Sequence, residues 1–481
     1  MLKLFRLHIL RILTLDGAIA LGLLLMGCAG SDPWGQRRMV SDGSSREYRP
    51  EKDILAPARE AMEGSAAAAK VGKEPLDLAE CMVVALENNP RTHSAWRAAR
   101  AAAAEVGGEK ADYLPQADFT SGVTRSDRAD ITSSTSSQTG PTTTYDAAFG
   151  VRYLLFDGGR RAAGVSGAKA RLHAANFRHN ASLQKIALEV EEAYHKLLAA
   201  RWKVKVEEES LHQRQRHVEL ARARKEAGVV SRADVLKAET ELADARLQLV
   251  RAKSQVRVAR GELASVMNLE VSAPLRVEDV PEKTRQREMA AVEKLLTEAA
   301  GQRPELQAAL ADVQKNQSAL KAARAGYWPK LSASADYGWR DEHFAPNEEE
   351  WSVGLGLSLP LFTGFERSYR IRRREEELRK AVSDYEDALR GVALEVWTAY
   401  ARVQEADEAI EAAQALVASA EESLEVARGE YRAGTGTIIE LIDAETAHTA
   451  ARNQLVQARL DWYVALARLE RAVGRSIAGD R

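Results

Sequence analysis

The chain has 481 residues, 68 basic and 70 acidic, with 45% hydrophobic but only 6% aromatic residues. A net charge of −2 excludes the basic footprint of a nucleic-acid partner. Long stretches rich in Ala, Glu, Arg and Leu have the composition of extended helices with narrow apolar seams rather than of a broad globular core.

Residues 1–27 read as an export signal, in which Lys3, Arg6 and Arg11 precede an apolar stretch from Gly17 to Met26 too short to span a bilayer comfortably. It ends in Leu25-Met26-Gly27-Cys28, which resembles a bacterial lipobox and predicts acylation of Cys28. Ala29 at the following position permits sorting to the outer membrane. Loss of residues 1–27 removes Lys3, Arg6, Arg11 and Asp16 and leaves 65 basic against 69 acidic residues. Residues 28–75, with Pro33, Pro50, Pro57 and the alanine run 66–69, form an N-terminal tether. The only other cysteine, Cys81, lies in the helical pattern Leu78-Cys81-Met82-Ala85 and reads as a small buried hydrophobe.

Beyond the tether the chain is duplicated. Pro90 and Tyr113-Leu114-Pro115 recur 214 positions later as Pro304 and Tyr327-Trp328-Pro329. After a loop the shift becomes 206: Phe156-Asp157-Gly158 matches Phe362-Thr363-Gly364, Ala227-Gly228 matches Ala433-Gly434, and Ala238-Glu239-Thr240 matches Ala444-Glu445-Thr446. Repeat 1 covers 76–272 and repeat 2 covers 292–476, joined by a connector at 273–291 and followed by a tail at 477–481. The change of shift falls between Thr132–Thr144 and the acidic loop Ala345–Glu350, as expected of solvated loops facing outward.

Each repeat reads as helix, strand pair, very long helix, turn and helix. Apolar residues at alternate positions predict strands at about 116–125 and 145–156, and again at about 330–340 and 351–362. Trp351, Val353, Leu355, Leu357, Leu359 and Leu361 fall on one side, with Ser352, Gly354, Gly356 and Ser358 on the other. This alternation suits a membrane barrel with lipid outside and water inside. Four strands cannot close a barrel, and open edges are forbidden in hydrocarbon, so several chains must share one. In the second repeat the seam Tyr385, Leu389, Val392, Val396, Ala399, Val403, Ala406, Ile410, Ala413, Val417, Ala420, Leu424, Ala427, Tyr431 advances about 3.5 residues per step, the period of left-handed coiled-coil packing. A helix from Arg367 to Tyr431 would be roughly 100 Å long.

Signal, lipobox, duplication, strand pairs and long helices together resemble the acylated branch of the TolC outer-membrane efflux and secretion channels, over residues 76 to about 476. The resemblance implies a mainly α fold with a small β part: a homotrimer whose twelve strands form a membrane barrel, continued by a periplasmic coiled-coil helical tunnel. It also implies a passive exit duct, lipid-anchored in the outer membrane of a Gram-negative bacterium, serving a tripartite efflux pump or a type I secretion system. The implied partners are a periplasmic adaptor and an inner-membrane transporter. A lipid-anchored periplasmic adaptor is the alternative, but adaptors lack the two amphipathic strand pairs and whole-chain duplication.

The family's constricting, adaptor-docking tips match Lys225–Leu236 and Tyr431–Asp443. Gly228 and Gly434 are suited to end long helices, and Ser231 or Thr437 to cap the next, with Asp234 and Glu440 in its first turn. From the resemblance, Glu440 and Asp443 would line the constriction as acidic rings, and Tyr431 would pair with Asp234. The family's basic residue is absent at Gly436, for which Arg232 is a candidate substitute. No catalytic constellation, cofactor motif or metal spacing is present. His173, His179, His212 and His217 read as solvated helix surface, and Arg372–Arg374 with Glu375–Glu377 as a solvated face.

Overall fold

The computed structural model describes residues 41, 44–46, 74–126, 141–279, 291–344, 346 and 348–475. Cys28, most of the tether, 132–140 in the first loop and 280–290 in the connector lie outside them. In chain order the elements are α1 (Leu78–Asn88), α2 (Pro90–Ala111), β1 (Gln116–Ser126), β2 (Thr142–Phe156), α3 (Arg160–Glu226), α4 (Arg232–Val266), α5 (Val292–Gln302), α6 (Pro304–Arg324), β3 (Lys330–Asp341), β4 (Glu348–Ser358), α7 (Glu366–Ala433) and α8 (Ile438–Val473).

Where the sequence suggests one helix ahead of each strand pair, there are two. Asn89 and Arg303 precede prolines and sit at ψ 125° and 119°, because the pyrrolidine ring disfavours helical backbone in the residue before it. Both residues also stop the final helix of their own repeat. The Asn89 amide donates to the Val266 carbonyl at 3.2 Å, and Arg303 Nη1 donates to the matching Ala472 carbonyl at 3.2 Å. The duplication thus extends to how helix ends are satisfied.

The 67-residue α3 and 68-residue α7 each reach about 100 Å and pack lengthwise on α4 and α8 respectively. Contacts between α3 and α8 join the two repeats. The expected seam is buried at Val392, Val396, Ala399, Val403, Ala406, Ile410, Ala413, Leu424 and Tyr431. Small side chains in it let neighbouring helices approach closely, which is why so few aromatics suffice. A wider core gathers α1 against α3 and the end of α4, including Cys81, Val84, Tyr194, Leu198, Leu263 and Met267. Burial there, reinforced by Asp77 and Glu80, pushes the Cys81 thiol up to about 12, so it stays an unreactive hydrophobe.

The strands form one antiparallel sheet in the order β1-β2-β3-β4. Its register lines up Phe119, Phe149, Tyr337 and Trp351 across one face, while Asp118, Gly150, Asp336 and Ser352 cross the other. On β4, Trp351, Val353, Leu355 and Leu357 are 71–75% exposed, an apolar row that no described element covers. β1 and β4 each pair on one side only. Strand bounds differ from expectation at the loops: β2 and β4 begin earlier, at Thr142 and Glu348, within segments read as loop. β4 stops at Ser358 instead of 362, two residues before Pro360, which cannot donate to a ladder.

Candidate functional site at the helical tips

At the end of the long helices remote from the sheet, two turns reverse the chain. In the first, Gly228 takes φ +74° and Val229 N–H donates to the Arg224 carbonyl at 2.9 Å. In the second, Gly434 takes φ +82°, and the N–H groups of Thr435 and Gly436 donate to the Glu430 carbonyl at 3.0 and 3.1 Å. These left-handed positions explain the two glycines.

The next helices start with reciprocal caps. Asp234 N–H donates to Ser231 Oγ at 3.2 Å, while Ser231 N–H and Oγ–H donate to Asp234 Oδ2 at 2.9 and 2.8 Å. Glu440 N–H donates to Thr437 Oγ1 at 3.3 Å, and Thr437 returns two bonds to Glu440 Oε2 at 2.7 and 2.9 Å. The two bonds from Thr437 hold the Glu440 carboxyl below the usual glutamate range. Both acids therefore serve as helix-start caps within the protomer.

The pair expected between Tyr431 and Asp234 is not formed within the protomer. Asp234 turns back onto Ser231, and the buried Tyr431 Oη has no hydrogen-bond partner among the described residues. The hairpins are instead joined by Arg224, which sequence reasoning did not single out. Its guanidinium lies 4.3 Å from the Tyr431 ring centroid and donates to the Arg432 carbonyl at 3.0 Å. Tyr431 packs with Leu424, Ile438, Leu441 and Ile442, and Leu220 of α3 reaches the same cluster. Arg232 and Asp443 are exposed and bond no described residue. A side chain at Gly436 would bring its Cβ to 2.9 Å from Glu430 Cβ, so this turn has no room for the basic residue whose absence the sequence shows.

Farther from the tip, Glu445 is buried, with His217 Nδ1 at 3.1 Å and Arg428 Nη2 at 3.7 Å. Arg214 beside it donates to Glu241 at 2.5 Å and to Thr446 Oγ1 at 3.1 Å. His217 is thus mostly buried rather than solvated. His179 is fully buried, its Nε2 2.7 Å from the Arg46 carbonyl, and burial lowers its pKa. The duplication carries a signal for the Glu445 cluster: Arg222 and Glu239, an exposed pair at 2.6 Å, occupy the first-repeat positions of Arg428 and Glu445. Among the described residues no group of His, Cys, Asp and Glu is arranged to hold a metal ion, and no helix is long and apolar enough to cross a membrane.

An open-edged amphipathic sheet on two hundred-ångström helical hairpins defines the protomer of a TolC-type outer-membrane channel. The chain belongs to the outer membrane efflux protein family, whose model matches residues 82–269 and 295–475, one segment in each repeat. It is 29% identical over 391 residues to the protein CyaE of Bordetella pertussis, covering 80% of this chain and 81% of that one. It is 25% identical over 409 residues to the outer membrane protein TolC of Vibrio cholerae, covering 83% and 90%. Among solved structures, the outer membrane protein VceC of Vibrio cholerae matches with a TM-score of 0.73 at 20% identity, covering 82% of this chain and 96% of that chain.

Proposed function

We propose that this protein is the outer-membrane exit duct of a tripartite efflux pump or type I secretion system, a passive conduit with no catalytic step. Three copies would close a twelve-stranded barrel and continue it as a helical tunnel. Cys28 would carry the lipid anchor, and the tips at Gly228–Asp234 and Tyr431–Asp443 would dock a periplasmic adaptor that couples the duct to an inner-membrane transporter. Asp234, Glu440 and Asp443 would then surround the periplasmic entrance in three copies each, while 132–144 and 345–350 would face outward.

The observation that supports this reading best is the sheet, whose exposed apolar row and two unpaired edges suit contact with lipid and with further copies. Relatives named for efflux and for secretion, such as BepC of Brucella suis and the alkaline protease secretion protein AprF of Pseudomonas aeruginosa, fit the same role. The test is reconstitution of the full chain in planar bilayers with heat-modifiable migration on gels. A heat-sensitive trimer with discrete conductance steps is expected. Monomeric protein that inserts no channel would refute the reading.

A further inference from the structure

At the foot of the sheet, each repeat turns from strand into long helix beneath an arginine stacked on a tyrosine. Arg161 lies 4.7 Å from the Tyr113 ring centroid and Arg367 lies 5.6 Å from that of Tyr327, at matching positions of the duplication. Each also donates to a carbonyl at its strand's exit, Arg161 to Leu155 at 3.3 Å and Arg367 to Pro360 at 2.6 Å. One difference separates them. Arg161 is mostly buried and paired with Asp157 at 3.2 Å, whereas Thr363 occupies the place of Asp157 in the second repeat. Arg367 consequently pairs with no carboxylate among the described residues. Arg372 in the second turn of α7 is likewise without one, lying 5.8 Å from the ring of Tyr369.

The turn that leads into α7 at Arg367 carries exposed apolar side chains, while Arg372 stands in a charged stretch beside the Arg370–Glu366 and Arg373–Glu377 pairs. Trp328 is 59% exposed, Leu361 90%, Phe365 66% and Tyr369 67%. Exposed aromatics at the edge of an apolar sheet face mark the depth where a bilayer's headgroups begin. A guanidinium left without a carboxylate there is matched in charge and in planar donor geometry by a phosphodiester. A zwitterionic headgroup supplies its own cation to that phosphate, whereas a headgroup with net negative charge leaves it to the protein.

We propose that Arg367, with the aromatic collar around Tyr327, binds the headgroup phosphate of an anionic phospholipid, and that Arg372, farther along α7 and on another face, adds positive charge beside it. The proposal rests on the outer-membrane channel reading. It assigns the second repeat a lipid site that the first cannot provide, since Asp157 already occupies the equivalent guanidinium.

The full-length protein, purified in detergent with phosphatidylglycerol or phosphatidylcholine, is separated from free micelles, and retained lipid per protomer is measured by mass spectrometry. Selective retention of phosphatidylglycerol is expected, falling roughly fivefold for each arginine removed in Arg367→Gln and Arg372→Gln. Thr363→Asp, which restores the acid present in the first repeat, should lower it similarly, and Arg367→Lys should retain most of it. Equal retention of both lipids by a conducting wild type overturns the lipid site and leaves the channel reading intact. Wild type that forms no channel overturns both. Loss of the oligomer in the Gln variants with lipid selectivity unchanged would assign these arginines to contacts between copies. Elution of bound phosphatidylglycerol by inorganic phosphate at low ionic strength, matched by any other anion, would reduce the site to a general anion patch and overturn it too.

Discussion

Arg224 of the first hairpin covers the ring of Tyr431 of the second at 4.3 Å while donating to the carbonyl of the adjacent Arg432 at 3.0 Å. One side chain thus grips both a side chain and the backbone of the opposite tip. A cation–π contact of this exposure contributes about 0.5–2 kcal/mol. We expect Arg224→Ala to raise the ratio of open to closed channels roughly two- to thirtyfold in bilayer recordings. Tyr431→Leu, which keeps an apolar side chain but removes the ring face, should act in the same direction. Tyr431→Phe should change resting conductance by less than about twofold, since Oη has no partner to lose.

Ion preference separates the helix-start role of Glu440 from a role at the entrance. Glutamine still accepts in the reciprocal cap, so Glu440→Gln keeps the helix start and removes the charge. With Asp443→Asn added, three chains would lose six carboxylates around one aperture, and cation selectivity measured from reversal potentials should fall. Unchanged reversal potentials in conducting trimers would leave Glu440 only its capping function.

Acid should loosen the second tip through the same residue. The Glu440 carboxyl is held below its ordinary range by the N–H and hydroxyl of Thr437, so its folded-state value is lower than its unfolded one. The associated stability is complete above the unfolded glutamate value and is lost as pH falls through the depressed folded value. Amide exchange protection at Glu440 and Leu441 should therefore decline on acidification below the usual glutamate range. In Glu440→Gln this decline should be absent.

Truncating the buried acid should be felt over a longer distance. Glu445→Ala leaves the mostly buried His217 without its carboxylate, while Arg428 keeps Glu425 at 2.8 Å, so the expected loss is the cost of one unsatisfied buried group, about 1–3 kcal/mol. Replacement of the exposed first-repeat counterpart, Glu239→Ala, should cost about 1 kcal/mol or less. Urea unfolding of the two variants in detergent, compared at one pH, reads the difference.

Much of the fold was legible because it is periodic. The seam from Val392 to Tyr431 follows from apolar spacing alone, and the glycine turns follow from two glycines at one offset in a duplicated chain. The helix breaks at Asn89 and Arg303 were also within reach, since Pro90 and Pro304 restrict the residue before them. Features that depend on neighbours far away in the chain were not. Glu445 meets His217, which comes across from α3, and His179 meets the Arg46 carbonyl. Neither neighbour stands near in the chain. Arg224, whose contact joins the hairpins, sits at the end of α3, outside the family pattern that marks Gly436 and Arg232.

The two open sheet edges set an order of events for biogenesis. A lone chain brings into the bilayer two strands, β1 and β4, each with a side of unpaired N–H and C=O groups, every one of which is penalised by several kcal/mol in hydrocarbon. In the proposed assembly insertion would wait until neighbouring copies had supplied the missing strands, and membrane entry should then be concentration-dependent. Until then the same edges are sticky templates for wrong pairing. If the proposed ring forms, a dilute chain should be prone to aggregation before it assembles, and a truncated copy lacking β1 or β4 should poison the whole ring.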